Sequence, residues 1–149
     1  TERKYYHTEV GWNYRLTNVQ AAIGVAQLER LDSLLNKKRE IDKWYMSMLR
    51  EVDGLTAQLL FANSTPWVTP ILVEPEFRIT KDELMVKLKE DGIETRVMFY
   101  PIHLMPPYKQ KRDCPIATEL SSKGMYLPSS TRIKYSEVKK ICEIIKKQA

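Results

Sequence analysis

The sequence contains few of the residues that mark disulfide-rich, metal-binding or membrane-spanning proteins. Its 149 residues include two cysteines and two histidines, and neither Cys114 nor Cys142 has a histidine close by in the sequence. This predicts neither a disulfide framework nor a metal site, and we expect both thiols to be reduced. No apolar run approaches the roughly 18 residues of a membrane-spanning helix, and no secretory signal is recognisable. We therefore expect a cytoplasmic protein that does not associate with membranes.

The composition that remains is typical of one globular domain with a buried core. Hydrophobic residues make up 43% of the chain and charged residues 29%, both ordinary values. The formal net charge is +5, and much of it lies in short runs at 37–39, 139–140 and 146–147. We interpret these runs as solvated helix faces, with attraction to anionic ligands as the alternative. Aromatic residues are not interleaved with arginines as in nucleic-acid-binding proteins, so we expect no nucleic-acid partner.

Residues 17–52 predict two consecutive helices or one long bent helix. The segment Thr17-Asn18-Val19-Gln20 fits a capping box, and apolar residues follow it at helical spacing. A second stretch, over 34–52, has an apolar side and a charged side, and the charged side includes Lys38 and Asp42. We place the bend near Leu31 and expect the 34–52 helix to be the longest element.

Beyond residue 54 the sequence alternates between strand-like and helix-like segments. Strands are predicted over 66–75, 93–100 and 125–127, and Pro70 inside the first of them predicts a bulge or an edge position.

Three helices are predicted among these strands. They begin after the capping residue Thr80, near Pro115 and at the capping residue Ser136. The predicted fold is therefore α/β or α+β, with a small, mostly antiparallel sheet flanked by helices.

Three motifs, taken together, resemble a known family. They read GWNYRLTNVQAAIGVAQL at 11–28, DGIETRVMFYPIHLMPPY at 91–108 and LSSKGMYLPSS at 120–130. This combination is similar to that of the DegT/DnrJ/EryC1/StrS sugar aminotransferases, and within that family to its perosamine-synthase-like branch. The resemblance covers nearly all of the chain.

The resemblance implies that residues 1–149 are the carboxy-terminal small domain of a fold-type-I aminotransferase that uses pyridoxal 5'-phosphate. That domain would include the loop at 11–15 and the linking helices at 17–52. Family members are more than twice this length, and their cofactor-binding lysine lies shortly upstream of the segment that matches here. We therefore expect no catalytic residue in this chain and no activity in isolation.

The loop at 11–15 is the first candidate site. In the family, this loop reaches into the active site of the neighbouring subunit of a homodimer. The resemblance implies that Asn13 and Arg15 bind the cofactor phosphate there, and an arginine beside a helix start suits an oxyanion. The alternative is that Asn13 only closes a turn.

The second candidate site binds the nucleotide sugar. The resemblance places His103 beside that substrate, together with Arg96, Tyr100 and Tyr108. Arginine suits the anionic oxygens of a diphosphate, and tyrosine and histidine suit sugar hydroxyls. The alternatives are an exposed loop histidine and a surface charge at a strand edge.

The implied reaction transfers an amino group, commonly from glutamate, to a keto group on a nucleotide-linked deoxy sugar, for amino-sugar or cell-surface polysaccharide biosynthesis. A stand-alone, non-catalytic binding or interaction domain is the alternative function. The intact motifs at 11–15 and around His103 argue against that alternative.

Overall fold

The computed structural model describes residues 4–12, 14–58, 61, 64–108 and 113–149. The described residues form five α-helices and four strands. In chain order these are α1 (Asn18–Leu28), α2 (Leu31–Leu49), β1 (Leu55–Ala57), β2 (Thr69–Val73), α3 (Lys81–Glu90), β3 (Arg96–Val97), α4 (Pro115–Lys123), β4 (Gly124–Leu127) and α5 (Tyr135–Lys146). Two short 3-10 turns, Ile102–Leu104 and Pro106–Tyr108, lie between β3 and α4.

The four strands form one antiparallel sheet in the order β1-β2-β4-β3. Because side chains alternate across a strand, each strand presents one set of residues to the core and another to the opposite, outer face. Helices α2, α3 and α5 cover the core face. The observed architecture confirms the expectation of a small antiparallel sheet flanked by helices.

The core lies between the sheet and these three helices. Its members are almost all aliphatic or aromatic, and the most deeply buried include Ile41, Tyr45, Ile71, Leu84, Leu88, Met125, Val138 and Ile145. Helix α2, with 19 residues, is the longest element, as predicted. It packs on α5, and α5 also contacts α3.

Helix starts follow the capping signals in two of the predicted places. At α1 the Thr17 hydroxyl accepts from the Gln20 backbone N–H, and the Gln20 side chain accepts from the Thr17 N–H. Thr80 and Glu83 form the same reciprocal pair at α3. The third start differs, because α5 begins at Tyr135 after Lys134 instead of at Ser136. There the Glu137 carboxylate accepts from the Lys134 N–H at 2.7 Å.

Three strand predictions need correction. Strand β1 was not predicted, because its three residues are too short to show an alternating pattern. The strand predicted over 93–100 shrinks to Arg96–Val97, which pairs with one neighbour only. Pro70 lies in a central strand without a bulge, and this is possible because the β1 pairing ends at Ile71. The missing N–H of Pro70 therefore costs no ladder hydrogen bond on that side.

The charged side of α2 also differs from the expectation. Asp42, which the sequence pattern places on the charged side of the helix, is buried and hydrogen-bonded to the Thr69 side chain. Burial raises the pKa of its carboxyl, and the Thr69 hydrogen bond opposes that rise. The hydrogen bond explains how the position tolerates a polar group.

Within the described residues, no helix is long and apolar enough to cross a membrane.

Candidate functional site

The loop before α1 projects from the molecule. The side chains of Trp12 and Tyr14 are 82% and 87% exposed, and every residue of 14–30 is exposed. Arg15 has no hydrogen-bond or ion-pair partner among the described residues. Asn13, the other predicted phosphate ligand, lies outside the described residues.

The surface of α1 is equally uncovered. None of its residues is buried, although it carries several large apolar side chains: Val19, Ile23, Val25 and Leu28. Val19, Ile23 and Ala26, which belong to the apolar residues at helical spacing in the sequence, are all exposed. So many exposed large apolar side chains on one helix are typical of an interaction surface.

The predicted sugar-binding residues follow one another along the segment 96–108. Arg96 lies on β3, exposed, directly opposite Tyr126 of β4. Tyr100 follows the strand and its ring meets that of Tyr6 edge-on at 5.3 Å. His103 lies in the first 3-10 turn and Tyr108 ends the second. The structure thus places the four residues on one continuous segment, separate from Arg15 in sequence and in element.

Helix α4 holds this segment in place through two hydroxyls. Ser121 donates to the backbone carbonyl of Phe99 at 2.9 Å. The Thr118 hydroxyl lies 3.2 Å from Nε2 of His103. The turn itself is anchored by Met105, which is buried. His103 is therefore half-buried and oriented, unlike the freely exposed loop histidine that was the alternative interpretation.

An aromatic cluster borders the segment and was not predicted from the sequence. The ring of Phe99 stacks on Trp67, with a centroid distance of 5.8 Å and 14° between the planes, and also meets Tyr5 and Tyr126. Tyr5 adopts a left-handed backbone conformation, φ 61°, which is uncommon outside glycine. The only signal for this cluster in the sequence is the aromatic content of four separate segments, whose proximity depends on the fold.

A groove of about 700 Å³ opens on the outer face of the sheet beside this cluster. Its walls include Trp67 and Tyr126, together with Leu72 and Met98 from the sheet side and Leu120 from α4. Burial raises the pKa of the Tyr126 hydroxyl, whereas a backbone hydrogen bond at Phe99 opposes the rise. The tyrosine therefore remains a neutral hydroxyl at physiological pH.

The basic run on α2 positions loops instead of lying free in solvent, which corrects its interpretation as a solvated face. Lys38 donates from Nζ to the carbonyl oxygens of Trp67 at 2.6 Å and Ser129 at 2.5 Å, and burial lowers its pKa. Arg39 donates to the carbonyl of Ser64 at 3.1 Å. Helix α2 thus holds the loop that contains Ser64 and Trp67 in place. The other two runs, at 139–140 and 146–147, are exposed as predicted.

The side chains of the 11–15 loop and of the segment 96–108 are suited to the recognition of anions and hydroxyl groups. Arginine and lysine supply positive charge, and tyrosine, threonine and histidine supply hydrogen bonds. No group of three or more histidine, cysteine, aspartate or glutamate side chains that could hold a metal ion occurs in the described part of the chain.

Comparison with known proteins gives consistent results at three levels. The model of the DegT/DnrJ/EryC1/StrS aminotransferase family matches residues 1–146. A GDP-perosamine synthase of Vibrio cholerae is 40% identical over 151 residues, which cover 97% of this chain and 40% of that protein. A GDP-perosamine synthase of Escherichia coli O157:H7 is 38% identical, covering 96% of this chain and 39% of that protein.

Among solved structures, Helicobacter pylori PseC, an aminotransferase involved in the biosynthesis of pseudoaminic acid, superposes with a TM-score of 0.79 at 25% identity. The match covers 94% of this chain and 39% of PseC. The chain therefore spans about two fifths of the length of the relatives it matches. Sequence motifs, fold and family match agree over nearly the same residues, and the chain belongs to the DegT/DnrJ/EryC1/StrS aminotransferase family.

Proposed function

We propose that this chain is the carboxy-terminal part of a cytoplasmic, homodimeric, pyridoxal-phosphate-dependent aminotransferase. The enzyme transfers an amino group, from glutamate as donor, to a keto group on a nucleotide-linked deoxy sugar for amino-sugar or cell-surface polysaccharide biosynthesis. The observation that carries the proposal is the family match over residues 1–146. The two GDP-perosamine synthases at 38–40% identity favour a GDP-linked sugar as substrate.

The residues of the 11–15 loop suit the phosphate of the cofactor. Pyridoxal phosphate, when bound, supplies the electron sink for amino-group transfer. Arg15 presents an exposed guanidinium that no described side chain neutralises, two residues before the capped start of an 11-residue helix. A cationic fork next to a helix N-terminus favours a dianion. In this proposal Arg15 and Asn13 hold the phosphate in the active site of the neighbouring subunit.

The segment 96–108 forms the wall for the nucleotide sugar. Arg96 binds diphosphate oxygens, and Tyr100, His103 and Tyr108 donate or accept hydrogen bonds with sugar hydroxyls. These assignments are supported by the position of the four residues on one segment that α4 and the Tyr6 ring hold in place. Because these side chains are already held in position, they lose less conformational freedom when a substrate binds.

The uncovered α1 supports the dimer. If its exposed apolar residues lie against the second subunit and the rest of the enzyme, the loop at 11–15 is carried to the neighbouring active site. Covering that surface also removes its apolar side chains from water, which favours association.

The function is tested with the complete reading frame that encodes this chain. We expect the purified enzyme to convert GDP-perosamine and 2-oxoglutarate to glutamate and the corresponding keto sugar, since transamination is reversible. Amino sugars linked to dTDP or UDP serve as comparison substrates. Binding of GDP-perosamine without turnover would favour the alternative, a non-catalytic binding domain, and preference for another nucleotide would change the substrate assignment only.

The role of Asn13 is tested in the same enzyme. Asn13→Ala removes one hydrogen bond to a charged phosphate, which is worth about 1.5–3 kcal/mol. We expect pyridoxal phosphate to bind roughly tenfold to a hundredfold more weakly, with an unchanged melting temperature of the cofactor-free form. Asn36→Ala, at an exposed position of α2, is the control. Unaltered cofactor affinity, or a large loss of stability, would identify Asn13 as a structural turn residue.

A further inference from the structure

Thr118 connects helix α4 to the imidazole of His103 and to its own helix start. Its Oγ1 lies 3.2 Å from Nε2 of His103 and 3.2 Å from the carbonyl oxygen of Cys114, the capping residue that precedes α4. The second contact is the common bond from a helical threonine to the carbonyl four residues before it.

The number of protons on these groups determines which way each bond runs. A carbonyl oxygen can only accept, so when both contacts are hydrogen bonds the single hydroxyl proton of Thr118 is donated to Cys114. The oxygen of Thr118 then has only lone pairs to offer to His103. For the contact to be a hydrogen bond, Nε2 of His103 must carry a proton and donate it.

We propose that Thr118 is a positioning residue that holds neutral His103 in its Nε2–H tautomer and leaves Nδ1 as an acceptor for the ligand. This rests on the proposed function for the identity of that ligand. Nδ1 has no partner among the described residues, so it is the nitrogen that remains for substrate. An imidazole in this state accepts a hydrogen bond from a hydroxyl and offers nothing to a diphosphate oxygen.

The assignment divides the recognition of a nucleotide sugar between two residues. His103 binds a ligand group that donates, a sugar hydroxyl, and Arg96 binds the anionic diphosphate. The neighbouring Ser121 has a different task, because it donates to the backbone carbonyl of Phe99 and not to the imidazole. Helix α4 therefore fixes the backbone of the segment through one hydroxyl and the tautomer of its histidine through another.

The tautomer is measured by NMR of the chain labelled with ¹⁵N-histidine. The sequence has two histidines, so His7→Gln assigns both sets of signals. In the neutral form we expect His103 of the wild type and of Thr118→Ser to be protonated at Nε2. In Thr118→Val we expect a rise in the Nδ1–H population towards the mixture shown by exposed His7. Ser122→Ala is the control, since Ser122 lies on the same helix and its hydroxyl bonds to Glu119 instead.

The consequence for substrate is measured in the complete enzyme. We expect Thr118→Val to raise KM for the nucleotide sugar about threefold to tenfold with little change in kcat, the effect of a misoriented neutral hydrogen bond. Thr118→Ser retains the hydroxyl and should have the KM of the wild type. Ser122→Ala should also leave KM unchanged.

Three results would overturn the proposal. The first is a wild-type His103 protonated at Nδ1. The second is a set of nitrogen shifts that Thr118→Val does not alter, and the third is a KM that Thr118→Val leaves unchanged. The NMR result does not depend on turnover, so an enzyme with another activity would refute the proposed function while the tautomer assignment stood on its own.

Discussion

Helices α1 and α5 are nearly equal in length and have entirely different surroundings. They contain 11 and 12 residues, and each begins with a side chain at the third position that accepts from the backbone N–H of the capping residue. Yet α5 buries four residues, including Ile145, and α1 buries none. Local signals can therefore start a helix equally well whether or not the fold covers it.

The distribution of apolar residues explains the difference. In α5 the buried residues Val138, Ile141, Cys142 and Ile145 form one narrow stripe, as expected of a helix that packs on one layer. In α1 the apolar residues are spread around the helix, with Val19 and Ile23 on one side and Leu28 on another. Such a helix is suited to contact more than one partner, in agreement with the role proposed for α1 between subunits.

The largest expected effect is a difference in stability between two substitutions, one of an isoleucine in α5 and one of an isoleucine in α1. Ile145→Ala removes a side chain that is 0% exposed, and we expect the free energy of unfolding to fall by about 2–5 kcal/mol. Ile23→Ala changes a side chain that is 60% exposed, and we expect a change within about 0.5 kcal/mol. Urea unfolding of the 149-residue chain measures both. Equal losses would mean that α1 packs on the core in solution and that the comparison is wrong.

A smaller effect is expected at the helix caps. Thr80→Ala breaks the capping box of α3, a helix that packs in the core, and should lower the free energy of unfolding by about 1 kcal/mol. Thr17→Ala breaks the same motif at α1, which makes no buried contact. We expect it to reduce helix content, measured by circular dichroism, without shifting the urea midpoint. A midpoint shift of similar size in both variants would show that α1 unfolds together with the core.

The smallest effect is on the pH dependence of the free energy of unfolding, and it comes from Asp42 on the buried side of α2. Burial raises the pKa of Asp42, so the folded chain holds this proton more tightly than the unfolded chain. The free energy of unfolding therefore falls as the pH rises from the ordinary carboxyl range through the raised pKa. Asp42→Asn retains an oxygen that can accept from the Thr69 hydroxyl and should abolish this part of the pH dependence.

Other carboxyls change the curve in the opposite sense, so the test uses the difference between wild type and variant. Hydrogen bonds from Thr80 lower the pKa of Glu83, and the Lys123 side chain lowers that of Glu119. Both contributions are common to the two proteins and cancel in the difference. Parallel curves for wild type and Asp42→Asn would show that the Asp42 carboxyl is solvated.

Much of the secondary structure could be predicted because its causes are local. The capping boxes at Thr17 and Thr80, proline at the first position of α4 and glycine after α3 each act within a few residues. The motifs of the family are local in the same sense, which is why the sequence alone pointed to the 11–15 loop and to His103.

The errors arose where one segment meets another. Lys38 was interpreted as solvated because a lysine on the charged side of a helix usually is, but two loop carbonyls from distant parts of the chain reach it. Pro70 was assigned to an edge because its neighbours in the sheet were unknown. The aromatic cluster around Phe99 combines four segments that lie far apart in the sequence.

The sequence by itself determined where α1, α3 and α4 begin, which face of α5 is apolar and which family the motifs resemble. Backbone hydrogen bonds at helix ends and side-chain periodicity act over one or two turns, and a single sequence displays them directly. Only the tertiary structure decided that Asp42 is buried, that Lys38 holds the Trp67 loop and that Thr118 faces His103. Those contacts depend on the sheet order β1-β2-β4-β3, which brings distant residues within hydrogen-bonding distance. The same layering leaves α1 uncovered, because the sheet and its helices bury their apolar residues against one another without it.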